Sequence, residues 1–272
     1  MSTSETVRKA LATMTEDEYF AMSEDRKVVT PENVAGLLDY PALFRAMQDD
    51  RELRPPLSEA MYVGRAMNDF LSCTPEEFTR RYLVSDGPIN QKTGKPYLYG
   101  SKAYAEWRAA QDREPVGTEQ FAMFGRMAEA YGGHAGIAAI AEGRELVRNA
   151  VVTAQVAGVP AACKVDALYV GDGGTWAVDV KTCDDLSLMR ATADRLRYRE
   201  QQALVHLVLG AAGIDANVCI AAVEKGPMPR CGVFHVADME RCEATVLRAL
   251  GDYAADMAAG KFRTGYEEPR GL

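Results

Sequence analysis

The sequence predicts an α/β fold of the α+β kind, a small mixed β-sheet flanked by helices with an α-rich N-terminal half. Three observations carry this. Up to Gly143 apolar residues recur at helical intervals between capped starts. After Gly143, short β-branched-rich runs separated by glycines take over. Helix-like and strand-like segments then alternate to the end. With 272 residues, 47% of them hydrophobic and 26% charged, the chain can bury a sizeable core.

Residues 1–29 are polar and are expected to form a peripheral segment ahead of a single domain over residues 30–272. Thr30, Pro31 and Glu32 mark a helix start, predicting a helix through TPENVAGLLDYPALFRAMQ. RELRPP breaks it. SEAMYVGRAMNDFLSC places Met61, Met67, Phe70 and Leu71 at helical spacing, and TPEEFTRRYLV opens another capped helix. Residues 85–100 are rich in turn formers and read as a surface loop carrying Lys92 and Lys95 beside Tyr97 and Tyr99. Gly94-Lys95 lacks the upstream glycine of a phosphate-binding P-loop. SKAYAEWRAAQD and GTEQFAMFGRMAEAYGGHAGIAAIAEG form a second helical block.

LVRNAVVTAQVAG, AACKVDALYV and TWAVDVKT then read as consecutive strands, the last two joined by a hairpin turn at GDGG. LMRATADRLRYREQQALVHLVLG is predicted helical, ANVCIAAVEK a buried strand and CGVFHVA a further strand. ERCEATVLRALGDYAADMAAGKF closes with a helix. There is no internal repeat.

Composition excludes several classes. No apolar run approaches the roughly 18 to 20 residues of a membrane span, and the acidic start is not a secretory signal. A cytoplasmic location is expected. The six cysteines are scattered without a CxxC pair, so reduced thiols are expected rather than a zinc or iron–sulfur site. A net charge of −8 argues against a generally basic, DNA-coating surface but leaves room for a local basic track.

The chemistry concentrates between Ala162 and Val205. Asp166 heads one β-like run, and Asp179 lies inside the next with Lys181 two residues on. Tyr198 and Gln201 sit on the helix-like segment beyond. Alternate residues of a strand share a face, so Asp179 and Lys181 point the same way. Asp166 joins them if the neighbouring strand has the right register. Two carboxylates with the Val180 carbonyl suit a hard cation such as Mg²⁺, which takes oxygen ligands and keeps waters. Such an ion activates water beside a phosphodiester, while Lys181 orients or activates that water or stabilises developing charge. That pattern reads as a metal-dependent nuclease. The plainer alternative is an ordinary solvated Asp-x-Lys ion pair.

Other residues have two readings as well. Glu145 is an extra acidic ligand or a solvated strand-edge residue. His206 is expected to pack against the sheet, and His134 and His235 show no partners in the sequence. Arg190, Arg195, Arg197 and Arg199 either track DNA phosphates, the main source of nonspecific affinity, or form a solvated face. Lys92 and Lys95, with Tyr97 and Tyr99, either grip a DNA end or belong to a polar loop.

Asp166, Asp179-Val180-Lys181 and Tyr198-x-x-Gln201 together resemble the PD-(D/E)xK nuclease superfamily. Within it the chain is most similar to the RecE-type and lambda-exonuclease-like phage recombination nucleases, and more distantly to RecB-like nucleases. YVGRAMNDFLSCTPEEFTRRYLV resembles that group's N-terminal helical motif, and QKTGKPYLYGSKAYAEW its lysine-rich segment; the resemblance covers roughly residues 30 to 210. It implies that Asp166 and Asp179 are metal ligands and Lys181 the catalytic lysine. Gln201 with Tyr198 would help hold the nucleophile or the DNA backbone. Where relatives place a metal-binding histidine on the N-terminal helix, this chain has Asn68, whose carbonyl oxygen Mg²⁺ accepts; Asp69 is the neighbouring substitute.

The implied activity is a Mg²⁺-dependent exonuclease, with Mn²⁺ as a substitute ion, that resects linear duplex DNA ends from 5′ to 3′. It leaves single-stranded tails for a single-strand annealing partner in phage-type recombination, and relatives assemble as homo-oligomers around DNA. A bacterial or phage-infected host cytoplasm is the implied setting. The alternatives are a DNA-binding or assembly protein with a weakened metal site, and an endonuclease or repair nuclease of the same fold.

Overall fold

The computed structural model describes residues 3–11, 14, 16–24, 28–54, 58–98 and 100–264. Its N-terminal elements, α1 (Thr3–Ala10) and α2 (Glu16–Glu24), are not peripheral as their polarity suggested. Val7, Tyr19 and Val29 are buried, and Val29 adds a parallel bridge beside Ala161 through backbone bonds of 3.0 Å to Pro160 and from Ala162. A buried polar knot holds the segment there. Ser23 Oγ lies 2.8 Å from Thr30 Oγ1, the Thr30 N–H donates to Asn33 Oδ1 at 2.8 Å, and Asn33 Nδ2 donates to the Ser23 and Val28 carbonyls. Few apolar residues suffice when each is placed on the core.

The expected helix from Thr30 is two helices, α3 (Val34–Asp39) and α4 (Pro41–Asp49). Pro41 has no N–H to continue the first and forces Tyr40 out of helical geometry, to φ −152° and ψ 81°. α5 (Glu59–Ser72) starts where the Ser58 hydroxyl accepts from Met61 N–H at 3.2 Å. α6 (Pro75–Arg81) starts with a capping box in which Thr74 and Glu77 satisfy each other's backbone N–H groups. β1 (Tyr82–Val84) follows, then the exposed 85–100 loop and α7 (Lys102–Ala109). β2 (Glu114–Val116), unforeseen because it is short and contains Pro115, pairs parallel with β1. α8 (Thr118–Gly132) and α9 (Ala135–Ala141) complete this half.

β3 (Glu145–Val156), β4 (Val159–Val170) and β5 (Thr175–Cys183) form the expected antiparallel run. Ala157 and Gly158 turn the first hairpin with φ of +50° and +77°, as a two-residue turn that matches strand twist requires. The second hairpin turns at Gly171–Gly174, as the GDGG signal predicted. Arg144 clamps it, donating from Nε to Gly174 O at 2.8 Å and from Nη2 to Gly173 O at 2.6 Å. Its Nη1 reaches Ile140 O at the end of α9 at 2.9 Å. Arg144→Ala strands several carbonyls at once and is expected to cost about 2–3 kcal/mol; thermal melting checks it, and an unchanged midpoint would refute the clamp.

The predicted 188–210 helix is also broken, into α10 (Met189–Arg195) and α11 (Tyr198–Ala211), with Arg197 in the left-handed region at φ +58°. β6 (Ala216–Glu224) and β7 (Cys231–Phe234) extend the sheet, and α12 (Met239–Ala259) closes the described fold. The five-stranded sheet runs β3-β4-β5-β6-β7, antiparallel except for the parallel β5/β6 pair. One face carries Leu168, Val170, Ala177 and Val218 against α11, α12 and α3. The other carries Ala167, Tyr169, Val178, Val180 and Cys219 against α5, α6, α8 and α9. This is the mixed α/β architecture that the sequence predicted. The six cysteines are free thiols, and among the described residues no helix is long and apolar enough to cross a membrane.

Candidate active site

β4 and β5 pair through only three residue pairs, Ala167–Val178 to Tyr169–Trp176, next to the hairpin turn. One step further the register sets Asp166 across from Asp179. There the ladder stops, and the Asp166 carboxylate takes over from the backbone, accepting the Val180 N–H at Oδ2 over 2.9 Å. In an extended strand the N–H and C=O of one residue point to the same side. The Val180 carbonyl is therefore aimed into the same gap, between the two diverging strands.

Asp179 and Lys181 leave β5 on the face that carries Ala177 and Cys183, toward α10 and α11. Lys181 Nζ lies 3.0 Å from Asp179 Oδ1 and 5.1 Å from the Tyr198 ring centroid. Gln202, almost fully buried, donates from Nε2 to Asp179 Oδ2 at 2.7 Å. Asp166 is also buried, and its Oδ1 lies 3.2 Å from the ammonium of Lys164. Burial, helped by the neighbouring Asp166 charge and opposed by Lys181, pushes the Asp179 carboxyl up to about 6. Glu32, held by the Tyr19 hydroxyl at 2.6 Å, adds a smaller push. Burial works against the charged form of Lys181, but Asp179, Asp166 and Tyr198 outweigh it and hold the amine above its ordinary range. Burial also raises the Tyr198 phenol. At neutral pH Lys181 is an ammonium and Tyr198 a neutral phenol, so both donate hydrogen bonds rather than accept protons.

The structure thus brings together Asp166, Asp179, Val180, Lys181 and Tyr198. It does not bring Gln201 with them. Gln201 Nε2 donates to Leu196 O at 3.0 Å, tying off the α10–α11 break, and it is the neighbouring Gln202 that reaches Asp179. The signal was present: Tyr198 and Gln202 are four apart and share a helix face as well as residues three apart do. Lys164 was missed too, although a residue two before Asp166 on a strand shares its face. Gln202→Leu is expected to lower activity or metal affinity about 10–100-fold, as loss of an outer partner to a ligand does. Gln201→Leu should lower the melting temperature and leave activity per folded molecule intact. Equal activity losses would refute this division.

Asn68 lies on α5, which packs Val63, Ala66 and Met67 on the Val178/Val180 face, opposite the face bearing Asp179 and Lys181. One turn earlier, a Cβ on Gly64 would lie 3.8 Å from Thr182 Oγ1 on β5. The Asn68 Oδ1 is buried and has no hydrogen-bond partner among the described residues. Asp69 is no substitute ligand, because Tyr82 Oη donates to it at 2.7 Å and Arg81 pairs with it at 3.4 Å.

Glu145 is exposed, four residues along β3 from the position opposite Asp166, and pairs with Arg8 at 2.6 Å. His206 does not pack on the sheet; its ring bonds Glu243 of α12. His134 caps α9 by accepting from Gly136 N–H at 3.1 Å, and His235 meets the Trp176 ring edge-on. Of the four arginines, Arg197 pairs with Asp39 at 2.7 Å and with Glu200, and Arg199 with Asp194 at 2.9 Å. Arg190 and Arg195 are exposed, as are Lys92 and Lys95 on a small turn closed by the Ile89–Pro96 bridge. Tyr99 lies outside the described residues.

For a divalent ion the donor set is two carboxylates and a carbonyl, all hard oxygens without a competing histidine or thiolate. This suits Mg²⁺, which is content with one or two carboxylates plus water and phosphate. Among the described residues no group of three or more His, Cys, Asp or Glu side chains is gathered for a metal.

No family model and no curated protein matches the chain. Among solved structures it is similar to the crystal structure of "Putative exonuclease" from Eubacterium rectale. The TM-score is 0.61 at 15% identity, over 96% of this chain and 95% of that one. The two proteins share a fold. The match runs through both halves, so the helical N-terminal half belongs to that fold along with the sheet.

Proposed function

We propose that this chain is a metal-dependent deoxyribonuclease of the PD-(D/E)xK type. The observation that carries it is the placing of Asp166 and Asp179 side by side where β4 and β5 part, with Lys181 on the same face. A fold shared with a protein named as an exonuclease supports the same reading. Asp166, Asp179 and the Val180 carbonyl would hold Mg²⁺ or Mn²⁺. The ion's chemistry there is to acidify a water and to offset charge on the phosphoryl oxygens. Lys181, an ammonium, orients that water and donates to the phosphate oxygen on which charge grows. Gln202 keeps the Asp179 carboxylate turned to the gap, and Tyr198 packs over the lysine and limits its movement.

The finer reading is a 5′-to-3′ exonuclease acting on linear duplex ends, whose single-stranded tails pass to an annealing protein. Arg190, Arg195, Lys92 and Lys95 are exposed cations that could meet DNA phosphates, and a homo-oligomer would place them around the duplex. The test is digestion of linear, circular and 5′-end-labelled duplex DNA with Mg²⁺ or Mn²⁺. Progressive loss of linear DNA alone is expected; cleavage of circles would make it an endonuclease.

A second reading, a DNA-binding protein with a retired metal site, has one observation in its favour. Each oxygen of Asp166 and Asp179 already accepts from or pairs with a protein group: Lys164, Val180 N–H, Lys181 and Gln202. DNA binding without cleavage under either ion would establish it.

A further inference from the structure

Lys164 has no part in the mechanism above, yet it is among the most confined charges in the molecule. It precedes Asp166 by two residues on β4, and its side chain is only 6% exposed. Its ammonium lies 3.2 Å from Asp166 Oδ1 and 3.4 Å from Asn149 Oδ1, and 5.3 Å from the Phe20 ring centroid. Arg65 of α5 also meets Phe20, 4.2 Å from the ring centroid. Asn149 sits on β3 between the Arg148–Ala167 and Ala150–Val165 pairs, opposite Asp166, at φ +49°. That conformation is uncommon for a residue other than glycine. Burying an ion pair is expensive, and an apolar side chain of similar volume often stabilises a fold as well or better. Residues of α2, β3 and β4 nevertheless hold this amine against the carboxylate.

The charges around the gap explain what it does there. Asp166 and Asp179 contribute two negative charges, and Lys164 and Lys181 contribute two positive ones, one ammonium to each carboxylate, while Glu32, held by the Tyr19 hydroxyl, adds a weaker negative influence on Asp179. Phosphodiesterase sites with two metals place them about 3.5–4 Å apart around the reacting phosphate. Four added positive charges would then face two carboxylates already neutralised by lysines. One divalent ion is compatible with that balance; a second would stand beside the Lys164 ammonium.

We propose that Lys164 is a built-in cation occupying the flank of Asp166 where a second metal would bind, so that the site holds one divalent ion per chain. This rests on the metal-dependent reading above and specifies it. The fixed ammonium supplies part of the positive charge that the second ion supplies elsewhere, and it holds Asp166 Oδ1 while Oδ2 accepts from the Val180 N–H.

Mn²⁺ titration followed by electron paramagnetic resonance and by calorimetry tests this without reference to cleavage. The wild-type chain should bind one Mn²⁺, and Lys164→Arg should also bind one. Lys164→Met, which keeps the volume and loses the charge, should bind a second Mn²⁺ or bind the first at least about tenfold more tightly. Lys164→Gln, which can still bond Asn149, should behave as Lys164→Met does, so the result survives misfolding of either variant. Two ions on the wild-type chain, or unchanged count and affinity in both uncharged variants, would overturn the role of Lys164 while leaving the metal-dependent reading in place. No Mn²⁺ on the wild-type chain would overturn both.

Discussion

Lys181→Ala and Asp179→Asn are each expected to lower cleavage of linear duplex DNA by about 10²–10⁴-fold, the range for removing a proton-handling or charge-stabilising group. Lys181→Ala removes the ammonium that meets developing charge. Asp179→Asn keeps the shape and the bond from Gln202 but withdraws one of two ligand charges. The two variants should differ in metal binding: Mn²⁺ affinity falls with Asp179→Asn and holds or rises with Lys181→Ala, which leaves Asp179 less neutralised. Either variant cleaving at the wild-type rate would sink the assignment.

The same carboxylate makes a thermodynamic prediction in chelator. Its folded-state value of about 6 lies above the ordinary aspartate range. Across that window the folded chain retains a proton that the unfolded chain releases. Metal-free stability therefore falls as pH rises toward and through about 6, and is higher below that window. Asp179→Asn should remove that part of the fall, read as a smaller difference between melting points at pH 4.5 and pH 7.5. An active site that opposes its own folding in this way is stabilised when ligand arrives.

Tyr19→Ala is expected to be the most damaging single change in the N-terminal segment. The ring is fully buried among Val151, Ala162 and the partly buried Met14, Phe20, Met22 and Val28. It meets Phe20 edge-on at 5.5 Å, and its hydroxyl donates to Glu32 at 2.6 Å. Removing a buried ring of this size costs about 3–5 kcal/mol. In a chain this long that is roughly a 5–9 °C fall in melting temperature. Activity at low temperature should fall too, because Tyr19 packs on Phe20, which meets Lys164, and holds Glu32, which acts on Asp179. Tyr19→Phe, which loses only the hydrogen bond, should cost about 1 kcal/mol. A Tyr19→Ala chain melting like the wild type would show that residues 3–24 are the appendage their polarity suggested.

The strands after Gly143, the hairpin at Gly171–Gly174 and the helices opened by Ser58 and Thr74 were legible because their signals are local. A cap, a turn glycine or a two-residue alternation acts within a few residues, and no distant contact overrides it. The Asp179/Lys181 face was legible for the same reason. The breaks at Tyr40 and Arg197 were less so. The first follows from Pro41, which was written in the sequence and read as part of one helix. The second has no proline or glycine, and the left-handed Arg197 is held by ion pairs to Asp39 and Glu200, one of them 158 residues away in the chain. Gln201 and Gln202 are adjacent and chemically identical, and only the rotation of α11 on the sheet decides which one meets Asp179.

The sequence by itself determined the sheet-forming half, the two carboxylates and the lysine, because strand periodicity and turn chemistry are properties of neighbouring residues. Tertiary structure decided the rest: that β4 and β5 separate at Asp166, that Gln202 and Lys164 complete the charge pattern, and that the polar N-terminal segment packs over it. Those features depend on which surfaces meet when apolar area is buried, and burial joins residues far apart in the chain through contacts that no local pattern encodes.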